Sequence, residues 1–272
     1  GCEMGLMGAG LGGGFINTQE LHVMKYNQVM KGPDKDKWKI AVKEEHDRMI
    51  KNKVWKAVPK ESVPEGAKIL TSTWAMKKKA SGVYRARLNA RGYEQVDGEH
   101  FDKDTKASPV VCLMTIMIIL ILMIMGRLYG SLMDIHGAFL KGQFGVGEQL
   151  HMHVPQGFEQ YYGYNMVLLL LKTIYGLVQS AYAFWRIILA AFASMEYKRS
   201  KIDPCLFYKW TEQYGLQIWM TWIDDCCSVG TKEAVLSAKK KLSDYFKGEC
   251  DDGGDLNEYV GCKIDYNREE GW

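Results

Sequence analysis

The chain has no Cys-x-x-Cys pair and no evenly spaced cysteine set. Its seven cysteines stand at 2, 112, 205, 226, 227, 250 and 262 of 272 residues. That odd, irregular set argues against a disulfide framework and fits the reduced thiols of an intracellular protein. His151 and His153 alternate along one short stretch with no Cys or His set nearby, which argues against zinc. Apolar runs are short as well. The longest, residues 110–125, falls under the ~20 residues a spanning helix needs, so no membrane partner is expected. No charged segment precedes an apolar core and a cleavage site, so no secretory signal is visible. The chain begins with Gly1 rather than Met, as a piece of a longer protein would. No internal repeat occurs, and strands and helices do not alternate in a regular βαβ beat.

What is present is an ordinary globular balance, 47% hydrophobic and 25% charged, enough for a substantial core. The net charge of +3 names no partner, but its distribution is uneven. Residues 68–91 hold seven cations (Lys68, Lys77, Lys78, Lys79, Arg85, Arg87, Arg91) and no acid. Residues 1–14 are rich in Gly and Met, and Gly8-x-Gly10-x-x-Gly13 formally matches a dinucleotide pattern. No strand or βαβ unit surrounds it, so 1–33 reads as a flexible tail.

Residues 34–52 read as an amphipathic helix. Val54, Trp55 and Val58 follow as a short strand. Two strands, 69–79 and 83–90, join at Ser81-Gly82, and Arg85, Arg87, Asn89 and Arg91 occupy alternate positions of the second. In a strand they point the same way, and a polyanion relieves their mutual repulsion. Residues 110–125 read as a buried helix. A strand ends at Asp134, short strands follow at 151–154 and 166–171, and a helix at about 181–195. A hairpin at 216–229 carries Asp224 and Asp225 at its turn. A helix at 232–246 bears an exposed Lys239-Lys240-Lys241 run, and 255–264 reads as a last strand. This order predicts an α+β fold with a largely antiparallel sheet. Two strand ends bearing Asp134 and the Asp224-Asp225 pair, set side by side, gather three carboxylates around a divalent metal.

The order of motifs resembles the reverse transcriptase domain of copia-type long-terminal-repeat retrotransposons, over roughly residues 38–265. The resemblance begins with Trp38, Glu44-Glu45 and Asn52-Lys53-Val54-Trp55. It continues through Trp74, Lys77 and the Tyr84–Tyr93 segment, with Gln95 and Gly98, to Ser108-Pro109-Val110. Asp134-Ile135-His136-Gly137-Ala138-Phe139-Leu140 with Gly142 matches an Asp-Val-x-x-Ala-Phe-Leu motif. Met152, Pro155, Gly157 and Phe158 match Met-x-x-Pro-x-Gly-Phe. Tyr175-Gly176-Leu177-Val178-Gln179 matches Tyr-Gly-Leu-Lys-Gln, and Trp222-Ile223-Asp224-Asp225 matches Tyr-Val-Asp-Asp. Leu242, Phe246 and Tyr259-Val260-Gly261 close the series.

The resemblance implies a right-hand polymerase, α+β, with fingers and palm over 34–265 and a thumb largely absent beyond 266–272. It implies transfer of deoxynucleotides from dNTPs to a primer on an RNA or DNA template, with two Mg2+ or Mn2+ ions as cofactors. Asp134 and Asp224 would share the metals, with Asp225 a weaker ligand or structural partner. Lys77 and Arg85 would take the triphosphate. Phe139 would block a ribose 2′-hydroxyl, and Gln179 would lie against nucleotide and template. Lys78, Lys79, Arg87 and Arg91 would hold nucleic acid. The parent protein would be a Pol polyprotein with integrase, RNase H and protease segments, in a cytoplasmic particle or the nucleus. The chain departs from the family at Val178 and Tyr182, where cations are usual, and at Trp222, where a tyrosine is. Those departures also fit a catalytically decayed remnant, or a nucleic-acid-binding module without catalysis.

Overall fold

The computed structural model describes residues 24–79 and 81–270. In chain order the elements are α1 (Tyr26–Val29), α2 (Lys35–Lys51), β1 (Trp55–Pro59), β2 (Ile69–Leu70), β3 (Ser72–Lys78), β4 (Tyr84–Ala90), α3 (Leu113–Met125) and β5 (Tyr129–Ile135). Then come β6 (Leu150–His153), β7 (Met166–Leu170), α4 (Ser180–Ser194), β8 (Lys198–Arg199), β9 (Leu206–Thr211), β10 (Gly215–Trp222) and β11 (Asp225–Gly230). α5 (Lys232–Tyr245), β12 (Cys250–Asp255), β13 (Glu258–Tyr259) and β14 (Cys262–Lys263) complete the chain. The chain divides into two compact units, one of residues 24–107 and 139–183, the other of 108–138 and 184–270. No helix among the described residues is long and apolar enough to cross a membrane.

In the first unit, β3 and β4 form an antiparallel hairpin in the register Lys77 to Arg85 and Ala75 to Arg87. A separate sheet runs β1-β7-β6-β2, antiparallel except for the parallel pair β2–β6. α2 buries Trp38, Ala41, Val42, Glu45 and Met49, a spacing of three and four that puts them on one helix face. Phe158 sits at the centre of an aromatic group with Trp55, Trp74 and Tyr161. The dinucleotide-like glycines at 8–13 lie outside the described residues. The expected tail, however, stops short of residue 33. Met24 N donates to Met76 O at 3.0 Å, Tyr26 stacks on Trp74 and Val29 is buried, so Met24, Tyr26, Val29 and Met30 pack on the core of this unit.

Two distant motifs meet in this unit. Gly176 has a positive φ of 88°, and a Cβ there would lie 2.2 Å from Ala90 O. A Cβ on Gly92 would lie 2.1 Å from Gly176 O. Only glycine permits this approach, which sets Tyr175-Gly176 against the end of β4, with Ala90 N donating to Tyr175 O at 2.8 Å.

The second unit is a six-stranded antiparallel sheet in the order β12-β5-β11-β10-β9-β8. Met133, Ile135, Phe207, Trp219 and Cys226 face α4 and α5. Ile218, Met220, Cys227 and Val229 face the opposite side, with Ile116, Ile119 and Met123 of α3. α3 is therefore not the buried helix expected. Those three positions, spaced by three and four, are buried against the sheet, with Leu120 partly buried beside them. Leu113, Met114, Met117, Ile118, Ile121, Leu122 and Met125 are exposed, Met125 at 77%.

Two further expectations fail for tertiary reasons. Lys239 is not part of an exposed run but is 6% exposed. It donates to Ser131 Oγ and Leu132 O, each at 2.7 Å, and to the carboxylate of Asp252. The last strand is not 255–264. β12 lies earlier and pairs with β5, while β13 and β14 form a separate small hairpin. Replacing Lys239 with Met should cost about 1–3 kcal/mol, because the Leu132 carbonyl loses its buried donor. Urea unfolding measures the loss, and hydrogen exchange should rise first in residues 250–255. Wild-type stability in the variant would show that the lysine does not hold β12.

Candidate active site

The carboxylates are arranged by strand register. β11 pairs with β5 so that Asp225 lies opposite Asp134, and β12 pairs with the other edge of β5 so that Asp251 also lies opposite Asp134. Trp222 of β10 lies opposite Asp225. Residues directly opposite in an antiparallel ladder share a face, so Asp251, Asp134, Asp225 and Trp222 form one row across the end of the sheet. Asp224 adjoins it, its carbonyl accepting from Ile135 N at 3.2 Å.

The hairpin turn differs from the expected one. Asp225 is the first residue of β11, and the two-residue loop is Ile223-Asp224. Ile223 has φ 57°, a left-handed conformation that is a true outlier for a β-branched residue. The strand pairings on either side hold this strained turn, which carries the carboxylate pair at the tip of the hairpin.

Asp225 is pushed up from the ordinary 3.8 to about 6, first by loss of solvation and then by the charges of Asp224 and Asp134. Its residue surface nevertheless stays largely open to solvent. Behind it, burial pushes the Cys227 thiol up to about 12, which leaves it inert as a nucleophile. Sequence reasoning missed two groups beside the row. Asp251 sits in a Cys-Asp-Asp-Gly-Gly-Asp segment with no apolar alternation to mark it as a strand. His136 lies within the Asp134 motif without a role there. His136 Nε2 is 2.6 Å from Asp251 Oδ2.

The predicted basic residues lie in the other unit. Lys77 and Arg85 are direct cross-strand partners, and Arg87 follows on the same face. Arg87 lies over the Tyr175 ring at 4.9 Å, and Phe139 meets the same ring edge-on at 5.2 Å. Burial, then Arg87, lowers the pKa of Arg85. Lys78 lies 5.0 Å over the Tyr84 ring, and Lys79 is exposed at the end of the hairpin. The stretch without acids is not free of them in space. Buried Glu45 of α2 accepts from Leu88 N at 3.1 Å and lies 3.2 Å from Arg48. Burial raises its pKa, against the pull of Arg48, Arg87 and Arg85. Arg91 lies 3.9 Å from Glu94.

Gln179 is not open to a nucleotide. It is 2% exposed, and its amide group bonds Gln95, the His100 carbonyl and Glu148. Val178 N donates to the same Gln95 at 2.8 Å. The amide braces two loops together.

Three carboxylates aligned on neighbouring strands, with a fourth at the turn, offer the hard oxygen donors that Mg2+ and Mn2+ take. The chain belongs to the reverse transcriptase (RNA-dependent DNA polymerase) family, which matches residues 52–270. It is 32% identical over 244 residues to the retrovirus-related Pol polyprotein from transposon TNT 1-94 of Nicotiana tabacum, covering 87% of this chain and 18% of that protein. It is 28% identical to those from transposons RE2 and RE1 of Arabidopsis thaliana, covering 74% and 84% of this chain and 14% and 15% of theirs. These are relatives of the copia-type class to which the motif order pointed. The chain thus spans under a fifth of the curated relatives it matches. Among solved structures it is similar to a foamy viral protease–reverse transcriptase in complex with double-stranded DNA, at TM-score 0.39 and 11% identity, over 81% of this chain and 30% of that one.

The Asp225 shift has a testable sign. The folded chain keeps this proton up to about pH 6, whereas an unfolded aspartate releases it near the ordinary 3.8. Folding therefore loses stability as pH rises through that window, and the loss is complete above it. Asp225→Asn should flatten this dependence and stabilise the protein at pH 7–8 by about 1 kcal/mol, solvent screening included. Mg2+ or Mn2+ should raise the Tm of the wild type, and by less in Asp225→Asn. A wild-type Tm indifferent to both ions would show that the carboxylates bind neither.

Proposed function

We propose that this chain carries the template-directed DNA synthesis of a retrotransposon Pol polyprotein, with Asp134, Asp224 and Asp225 as its metal-binding carboxylates. The observation that carries the reading is the strand register that places Asp225 opposite Asp134 within a reverse transcriptase family match. Bound there, two divalent ions would activate the primer 3′-hydroxyl and neutralise the leaving pyrophosphate of a dNTP. The residues supply the rest. The β5–β11 pairing fixes Asp134 and Asp225, and the strained turn holds Asp224 beside them.

The unit of 108–138 and 184–270 is read as the palm and the unit of 24–107 and 139–183 as the fingers of a right-hand polymerase. In the fingers, Lys77 and Arg85 are the triphosphate ligands. Lys78, Lys79, Arg87 and Arg91 bind the RNA or DNA backbone. Phe139, braced against Tyr175, excludes a 2′-hydroxyl by bulk. Integrase, RNase H and protease segments of the polyprotein are the further partners, in a cytoplasmic particle or the nucleus. The absence of cations at Val178 and Tyr182, and the burial of Gln179, favour weak activity. A nucleic-acid-binding remnant without synthesis is the second reading.

Primer extension on the chain joined to its polyprotein thumb tests the first reading. Incorporation should require Mg2+ or Mn2+ and fall about 10²–10³-fold in Asp224→Asn, as expected when several kcal/mol of charge stabilisation is removed. Phe139→Ala should admit ribonucleotides that the wild type rejects. Extension by Asp224→Asn at the wild-type rate would overturn the assignment.

Salt dependence tests the basic hairpin separately. Binding of a primer–template should weaken with salt, and the log–log slope should become shallower by about 0.7–0.9 for each contacting cation removed. A slope unchanged in the Arg85→Ala and Arg87→Ala variants would place the nucleic acid elsewhere.

A further inference from the structure

Asp134, His136 and Asp251 each present one ligand atom, and the three atoms lie within 4.8 Å of one another. Three elements bring them together. β5 supplies Asp134, the turn after it supplies His136, and β12 supplies Asp251 as the cross-strand partner of Asp134. The turn is tied to the start of β12 by His136 N, which donates to Glu249 O at 3.0 Å. β12 is fixed from the opposite face by Lys239, through Asp252. The His136 and Asp251 side chains are open to solvent, at 48% and 70%, so an ion reaches them without displacing the core.

We propose that Asp134, His136 and Asp251 form a second cation site, selective for transition metals such as Zn2+ or Co2+ over Mg2+. The donor set carries the selectivity. Mg2+ demands near-octahedral oxygen ligation and keeps its waters, whereas an imidazole beside two carboxylates suits Zn2+ and its neighbours in the first transition row. Bonds of about 2.0–2.2 Å to nitrogen and oxygen place the ligands of a tetrahedral ion about 3.3–3.5 Å apart. The 2.6 Å contact between His136 and Asp251 opens to that spacing as the ion enters between them, and a separation at the 4.8 Å limit closes by about 1.3–1.5 Å. Both adjustments fall on the two exposed side chains. Water completes the coordination. Because Asp134 belongs to both groups, an ion here withdraws it from the Asp224-Asp225 pair, so the transition metal should inhibit. That consequence rests on the polymerase reading above; the binding itself does not.

Co2+ titration of the full 272-residue chain, followed by its visible d–d absorption and reversed by Zn2+, tests the site without primer or nucleotide. The expected result is a single Co2+ that a large excess of Mg2+ fails to displace. His136→Ala and Asp251→Asn should each weaken it at least ~10-fold, and Asp225→Asn should leave it in place. Circular dichroism confirms that each variant is folded. Co2+ binding unchanged in folded His136→Ala overturns the proposal. So does binding lost as fully in Asp225→Asn as in His136→Ala, because the ion then sits on the other carboxylates. Should the chain fail to extend a primer, the Co2+ result still decides this proposal by itself. Should it extend a primer while His136→Ala binds Co2+ normally, this proposal alone fails.

Discussion

The antiparallel pairing of β5 with β11 is the constraint on which the carboxylate end of the molecule depends. Its register sets Asp134 opposite Asp225 and, two residues on, Leu132 opposite Cys227. A slip by one residue would turn a whole strand over. Met133 and Ile135 would then leave the α4–α5 core, and Asp134 would enter it. Burial of those apolar residues, at about 25 cal/mol per Å² of apolar surface, therefore enforces the alignment of the acids. The chemistry is located by hydrophobic packing that never touches it.

Around that pairing the second strand neighbour, β12, is held by polar means. It offers no apolar alternation, and a bulge separates Asp252 from Asp255. A buried lysine grips it from α5, and Ser131 Oγ donates to Gly254 O at 2.6 Å. β5 thus has one neighbour, β11, fixed by packing and the other, β12, by charge and hydrogen bonds. The groups that flank Asp134 on that charged edge, Asp251 and His136, are the ones whose positions depend on the clasp.

Much of this was legible in the residues. The amphipathic pattern of α2, the alternating cations of β4, the hairpin of β10 and β11 and the two acid-bearing strand ends all follow from local periodicity. The departures arose where tertiary contacts decide. A run of apolar residues at 110–125 reads as buried from every side, yet one narrow stripe meets the sheet. Lys239 reads as one of three solvated lysines, yet its position on α5 aims it at the Ser131 hydroxyl and the Leu132 carbonyl of β5. The last strand read at 255–264 lies instead at 250–255, because its pairing is supplied by a neighbour rather than by its own side chains. Arg85 and Arg87 read as unopposed charge because Glu45, forty residues upstream, is invisible to any local window. Gln179 kept its motif position while its amide turned inward to Gln95 and His100.

The outward face of α3 makes ionic strength a two-sided variable for this protein. Eight apolar side chains there are exposed to water. Salting-out anions such as sulfate strengthen the association of such surfaces, while the same ions screen the cations of the β3–β4 hairpin. One addition of salt therefore acts in opposite senses at the two places, favouring contact at the helix and loosening contact at the strands. Colloidal behaviour and charge-driven binding are opposed in the same solution, and chloride, which salts out weakly, separates them.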